Sequence, residues 1–227
     1  MIQSIDRTTY IISMIGLEKG DFPYFLSKSL DLLNKNVLVI DNSKMKDLYG
    51  SLNAPGINNE DDDETVQQNG VTFVKNIAYS HRAFLLYDYV IVFHGLEVNY
   101  DYLDVSDQTY LVCNYEPKYI KALKQKFYDL KKMCTVHILL RDKINDKISD
   151  NTVVSSLTNG TDISVENVSV IPFDERDYGI YQSFTYNGVQ KIKPLSADYL
   201  DVLAEITLKL TGVKQDIKYM KNIYKKA

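Results

Sequence analysis

The sequence has no tryptophan, only two cysteines and three histidines, and no long hydrophobic run. Each scarcity closes off a class of protein. Cys113 and Cys134 sit singly inside apolar runs, which reads as buried free thiols in a reducing compartment rather than a disulfide or zinc framework. His81, His94 and His137 show no metal-ligand spacing, and His137, inside an apolar strand, reads as a satisfied core residue. No G-x-S-x-G elbow occurs and neither cysteine has an assignable base, so nucleophilic hydrolysis has no support. No apolar stretch reaches the roughly 18 residues that span a bilayer, and "MIQSIDRTTY" does not lead a charged region into a clean apolar one. Neither a span nor secretion is expected, and the expected location is the cytoplasm, with the membrane periphery as the extension. The formal charge of -4 gives no global basic field for nucleic acid or anionic lipid, so any such contact must be local.

What is present fits one α/β domain. With 45% hydrophobic and 25% charged residues over 227 positions, the chain can bury a sizeable core. The runs "TYIISMI", "NVLVID", "VTFVKNI", "YDYVIVFHG", "QTYLVCN", "CTVHILL" and "VSVIP" have the length and composition of buried strands. Between several of them lie segments of helical period. "PYFLSKSLDLLN" puts Phe25, Leu26, Leu30 and Leu33 on one side, and "PKYIKALKQKFYDLKKM" does the same with Ile120, Leu123, Phe127 and Leu130. This alternation predicts a doubly wound, mostly parallel sheet with helices on both faces. "NVLVID" is expected beside "TYIISMI".

Two irregular segments interrupt the pattern. Asn53 to Gly70, with the acidic run Glu60 to Glu64, reads as a long solvated or functional loop. "TNGTDISVEN" reads as a turn-rich connection. Ser196 is the expected N-cap of a helix carrying Leu200, Leu203, Ile206 and Leu210, which Gly212 would stop. The domain is taken as residues 1–212. Residues 213–227 form a basic amphipathic tail or helix with Val213, Ile217, Met220 and Tyr224 on one stripe. Its lysines, Lys214, Lys218, Lys221, Lys225 and Lys226, are candidates for contact with a membrane surface, DNA phosphates or a partner. The alternative is a final helix packed on the domain with its lysines in solvent.

In order and spacing these residues resemble the ParA/MinD superfamily of deviant P-loop ATPases, including its TadZ-like relatives, over most of the chain. "YIISMIGLEKGDFPYFLSKSLDLLNKNVLVIDNS" is similar to that family's first strand, phosphate-binding loop, helix and second strand. "YDYVIVFHG" is similar to its Y-D-x-V-I-I-D segment, and "VSVIPFD" to its final I-P-x-D. The resemblance implies a P-loop NTPase-like fold with the site around Gly16 to Tyr24, Asp41, the end of "YDYVIVFHG", and Pro172 with Asp174.

The departures fall on the chemistry. A working loop needs successive backbone N–H groups, a lysine on the phosphates and a hydroxyl on magnesium. In this alignment Glu18 stands at the signature lysine, Pro23 at the P-loop lysine and Tyr24 at the magnesium-binding hydroxyl, while Phe93 replaces the second carboxylate. Gly16 and Gly20 still frame the loop, and Asp41 matches a family carboxylate. Asp21 and Glu18 would repel a triphosphate. Pro23 also reads as a proline opening a helix at its first position. His94, Gly95 and Glu97 read either as a residual pocket or as a turn holding a satisfied polar cluster. Where the family often has a base-contacting asparagine, this chain has Arg141 and Asp142.

The reading is a degenerate ParA/MinD-like protein that positions or scaffolds a larger bacterial machine through protein partners, without ATP hydrolysis and with no cofactor. A homodimer would have to form without nucleotide. The alternatives are an unconventional ATP-binding switch, taking ATP and magnesium through Lys19, and a nonspecific DNA-binding partition protein.

Overall fold

The computed structural model describes residues 9–52, 65–77, 81–128, 134–144, 147–188 and 190–226, with the side chains of 81, 82, 127, 128 and 134 excepted. The acidic run from Glu60 to Glu64, Leu130, and the side chains of His81, Phe127 and Cys134 lie outside that set. The strands are β1 (Tyr10–Gly16), β2 (Val37–Asp41), β3 (Thr65–Gln68), β4 (Val71–Lys75), β5 (Tyr89–Gly95), β6 (Gln108–Cys113), β7 (Cys134–Lys143) and β8 (Ile163–Pro172). The helices are α1 (Asp21–Asp31), α2 (Asp47–Leu52), α3 (His81–Phe84), α4 (Tyr100–Leu103), α5 (Pro117–Tyr128), α6 (Asp150–Thr158), α7 (Glu175–Asn187), α8 (Ala197–Thr211) and α9 (Ile217–Tyr224).

One sheet runs β3-β4-β2-β5-β1-β6-β7-β8, parallel throughout except for the β3–β4 edge pair. Alternate residues of each strand feed opposite layers, as the pleat requires. Ile12, Met14, Ile91 and Phe93 join α1, α8 and α9 in one cluster. On the other face Leu111, Ile138 and Leu140 meet Leu123 of α5 and Val153 of α6, and Val90 and Val92 meet Phe84 and Tyr102. The predicted doubly wound α/β architecture is present.

Several local expectations are corrected. "NVLVID" does not lie beside "TYIISMI": β5 separates them, pairing with β2 on one edge and β1 on the other. All seven residues of β5 are buried, so it takes an inner place where both edges are covered. Part of the expected loop, Thr65–Gln68, is a strand that turns back through Asn69 and Gly70. Asn69 has φ of 56°, the left-handed conformation that an Asn-Gly hairpin turn uses. The connection "TNGTDISVEN" contains the first half of β8, which alternates exposed and half-buried residues and so has no apolar run. α7 was also not foreseen.

Ser196 caps α8 by accepting from the Tyr199 N–H, and Gly212 ends it in the left-handed conformation. Pro23 sits at the third position of α1, not the first. The physical consequence is the same, because the first-turn N–H groups have no intrahelical acceptor for proline to forfeit. In α9, Met220 and Tyr224 are fully buried, and the Tyr224 hydroxyl lies 2.5 Å from Ser29 Oγ of α1. Lys214, Lys218, Lys225 and Lys226 are exposed. Lys221 pairs with Asp201 on α8.

Candidate site at the carboxyl edge

β1 delivers the chain to the β1–α1 loop through Gly16, at φ of 130°. A Cβ there would stand 2.0 Å from the Val112 carbonyl oxygen, so only glycine lets β1 close against β6 at this point. The next side chains then diverge. Glu18 lies against Gly95 at the end of β5. Lys19 turns the other way: its Nζ donates to Asp142 Oδ2 at 2.6 Å and stands 5.9 and 5.3 Å from the ring centres of Tyr178 and Tyr181. Asp142 is aimed at it by a register slip in the β7–β8 ladder, where Asp142 takes φ of 59°.

One donor at the amino end of α1 is taken from within the chain. The Gly20 N–H donates to Asp47 Oδ2 at 2.9 Å. Leu48 presses on Gly20 so closely that a Cβ would meet the leucine's Cβ at 2.6 Å. Burial pushes the Asp47 carboxyl above its ordinary range. The Gly20 N–H opposes that, and the nearby carboxylates Asp21, Asp41 and Glu18 reinforce it. Asp21 opens α1 and is buried. It accepts from both terminal nitrogens of Arg141 at 2.8 Å each and from the Tyr199 hydroxyl at 3.2 Å. The guanidinium lies 5.2 Å from the Tyr199 ring centre, and among the described residues Arg141 Nε has no hydrogen-bond partner.

The remaining candidate positions make the following contacts. Tyr24 is fully buried, with its ring 4.7 Å from Phe184 and its hydroxyl accepting from the Gln190 N–H at 3.1 Å, away from the loop. Asp41 accepts from the Ser43 N–H at 3.0 Å, the Ser43 hydroxyl at 2.6 Å and the Tyr49 N–H at 2.9 Å, which ties β2 to α2. Phe93 packs in the core. Pro172 ends β8, and Asp174 is the N-cap of α7, accepting from the Arg176 N–H at 2.8 Å.

His94 marks a second slip, between Met14 and Ile15 in the β1–β5 register, and is wholly buried. Its Nδ1 accepts from the Asn99 N–H at 3.2 Å, which leaves the proton on Nε2 to be donated to Ser13 Oγ at 3.0 Å. Ser13 then donates to Ser106 at 2.7 Å and Ser106 to the Tyr102 carbonyl at 2.8 Å. Every donor in this chain is spent, so the pair is not a serine nucleophile with its base. His94 belongs to a satisfied polar cluster, while Glu97 lines a cavity of about 640 Å³ with Ser43, Lys46 and Asn99.

Among the described residues no three His, Cys, Asp or Glu converge on a metal position. A cleft of about 390 Å³ does open at this edge. Its walls include Leu17, Lys19, Tyr115, Asp142, Phe173 and Tyr178. The Asp21–Arg141 pair and Asp47 were not singled out together from sequence. An arginine inside "HILLRDK" was the available signal, since a cation in an apolar strand demands a buried anion.

Solved structures of other proteins share the fold. The MinD cell division protein of Aquifex aeolicus superposes with a TM-score of 0.64 at 15% identity, covering 92% of this chain and 99% of that one. The MinC:MinD cell division protein complex from the same organism gives 0.61 at 14%, covering 92% and 98%. A ParA family ATPase from Chlorobium tepidum TLS gives 0.55 at 12%, covering 96% and 98%. No protein-family model and no curated protein matches the sequence. The chain therefore has the ParA/MinD-type α/β fold.

That fold implies a magnesium nucleotide on the β1–α1 loop, and the residues present do not fit one. A triphosphate needs unoccupied N–H groups at the helix start and an unpaired cation. Here the Gly20 N–H is taken by Asp47, Lys19 by Asp142 and Arg141 by Asp21. Asp21 is neutralised by Arg141, and Glu18, Asp41 and Asp47 leave carboxylates there with Lys46 near the first two.

Proposed function

We propose that this protein acts by binding rather than by phosphoryl transfer: a ParA/MinD-like scaffold that positions a component of a larger bacterial machine and needs neither ATP nor magnesium. The observation that carries this reading is the Asp47 carboxylate on the Gly20 N–H. A carboxylate there supplies from within the chain the negative charge that a helix amino terminus attracts. Leu48 against Gly20 supports it, because a ligand would have to displace packed backbone as well as a charge. The partner is a protein, in keeping with the MinC:MinD complex among the structures of this fold.

Equilibrium titration of magnesium ATP onto the intact chain and onto Lys19→Ala tests the proposal. The expected result is no saturable binding to either. Tight binding to the intact chain that disappears in Lys19→Ala would replace this reading with a nucleotide switch built on Lys19.

A further inference from the structure

The cleft beside Lys19 does not end at the sheet. Through Tyr115 and Ile148 it continues into a second concavity of about 340 Å³ between α5 and α6, lined by Ile120 and Val153. Apolar side chains stand exposed along the first cleft: Ile148 at 39%, Phe173 at 39% and Tyr178 at 45%. An exposed apolar strip with concave relief marks a place where another surface seats. Its charge is uneven: Glu116 and Asp142 border the first cleft with Lys19, and the second concavity is basic. "PKYIKALKQKFY" of α5 carries four lysines and no carboxylate in a chain of net charge -4, and Lys121 and Lys124 line the second concavity itself.

We propose that this continuous groove is a docking site for an amphipathic helix of a partner protein that carries acidic residues beside its apolar stripe. The inference rests on the binding role proposed above and names the chemistry of the partner. Apolar anchors at helical spacing would enter the two concavities, and carboxylates flanking them would reach Lys121 and Lys124. Ion pairs at the edge of an apolar contact are partly desolvated and select the partner's charge. A bilayer is a poorer match, since it accepts protruding side chains and does not fill a concavity. Duplex nucleic acid would offer phosphates but nothing apolar for the groove.

The test uses the full chain and a panel of fluorescein-labelled peptides of about 16 residues, roughly 24 Å as helices, with Leu or Phe at i, i+3, i+4 and i+7 and Glu between them. Saturable anisotropy is expected with the acidic peptides. The double variant Lys121→Glu/Lys124→Glu should weaken it by about tenfold or more, and peptides with Lys in place of Glu should bind that variant and not the original chain. Ile148→Glu, at a half-exposed position that leaves the core intact, should weaken binding without lowering the unfolding midpoint. The inference is overturned if no acidic peptide binds, if Glu and Lys peptides bind alike, or if the variants change nothing. It is equally overturned if only phosphatidylglycerol vesicles or duplex DNA bind in a manner that depends on Lys121 and Lys124. The magnesium ATP titration is a separate measurement: nucleotide binding with peptide binding intact removes the scaffold reading alone, and absent peptide binding without nucleotide removes the groove alone.

Discussion

Asp21 and Arg141 are nearly inaccessible to water, so each depends on the other for the solvation it has lost. Removing one partner strands a buried charge, at about 3–5 kcal/mol, whereas replacing both with apolar side chains of similar size is often close to neutral. Arg141→Met and Asp21→Leu should therefore each lower the urea midpoint severely, and the double variant should recover most of the loss. Simple additivity of the two single effects in a double-mutant cycle would show that the pair is not coupled. His94 gives a second prediction. Burial alone lowers its pKa to about 4 from an ordinary 6.5. Between those values the unfolded chain binds the proton and the native chain does not, so stability rises with pH across the window and is lost as pH falls through it. The effect is about 3 kcal/mol in full. His137, whose pKa burial also lowers, acts in the same direction. Unfolding free energies from pH 7 to pH 4 should slope accordingly, and His94→Gln should flatten most of the slope.

At the scale of elements, much of the fold was legible because the strands that matter are apolar on both faces. "YDYVIVFHG" and "NVLVID" could be read directly, since a strand covered by helices on both sides has no polar phase. β8 was half missed for the opposite reason: as an edge strand it alternates exposed with half-buried residues, and only its last few read as apolar. Pairing order was not legible at all, because the choice of β5 over β2 as neighbour to β1 depends on edge coverage and not on any local residue. The β1–α1 loop was legible as a location, since β1, the loop and α1 follow one another as the sequence predicts. The partners of that loop were not, since Asp47 and Arg141 reach it only through tertiary placement. α9 shows the same limit. Its lysines suggest a surface tail, while its fit is set by Met220 and Tyr224, which close over α8 and α1. Tyr224→Ala should cost about 3–5 kcal/mol in chemical denaturation. Lys218→Ala and Lys225→Ala should stay within about 0.5 kcal/mol. Equal small effects from all three would mean that α9 contributes no packing.

For the whole molecule, the proposed function predicts a fold whose stability and assembly do not wait on a ligand. A nucleotide bound only by the native state would raise stability by RT ln(1 + [L]/Kd), about 2.7 kcal/mol at a hundredfold excess over Kd. On the proposed function that role would fall to contacts already made: Asp47 on Gly20, Arg141 on Asp21, and Leu48 packed on the loop. The loop is held in place by buried interactions contributed from α2 and β7, so the sheet's carboxyl edge should present the same surface with or without nucleotide. Whatever oligomer the protein forms should then be indifferent to nucleotide as well. Sedimentation velocity over a range of protein concentrations, with and without millimolar magnesium ATP, should give superimposable distributions, and thermal unfolding midpoints should coincide. Conversion of monomer to dimer on adding nucleotide, with a matching rise in midpoint, would mean that a ligand can displace Asp47 from Gly20. The β1–α1 loop would then be a competitive switch in place of a fixed structural joint.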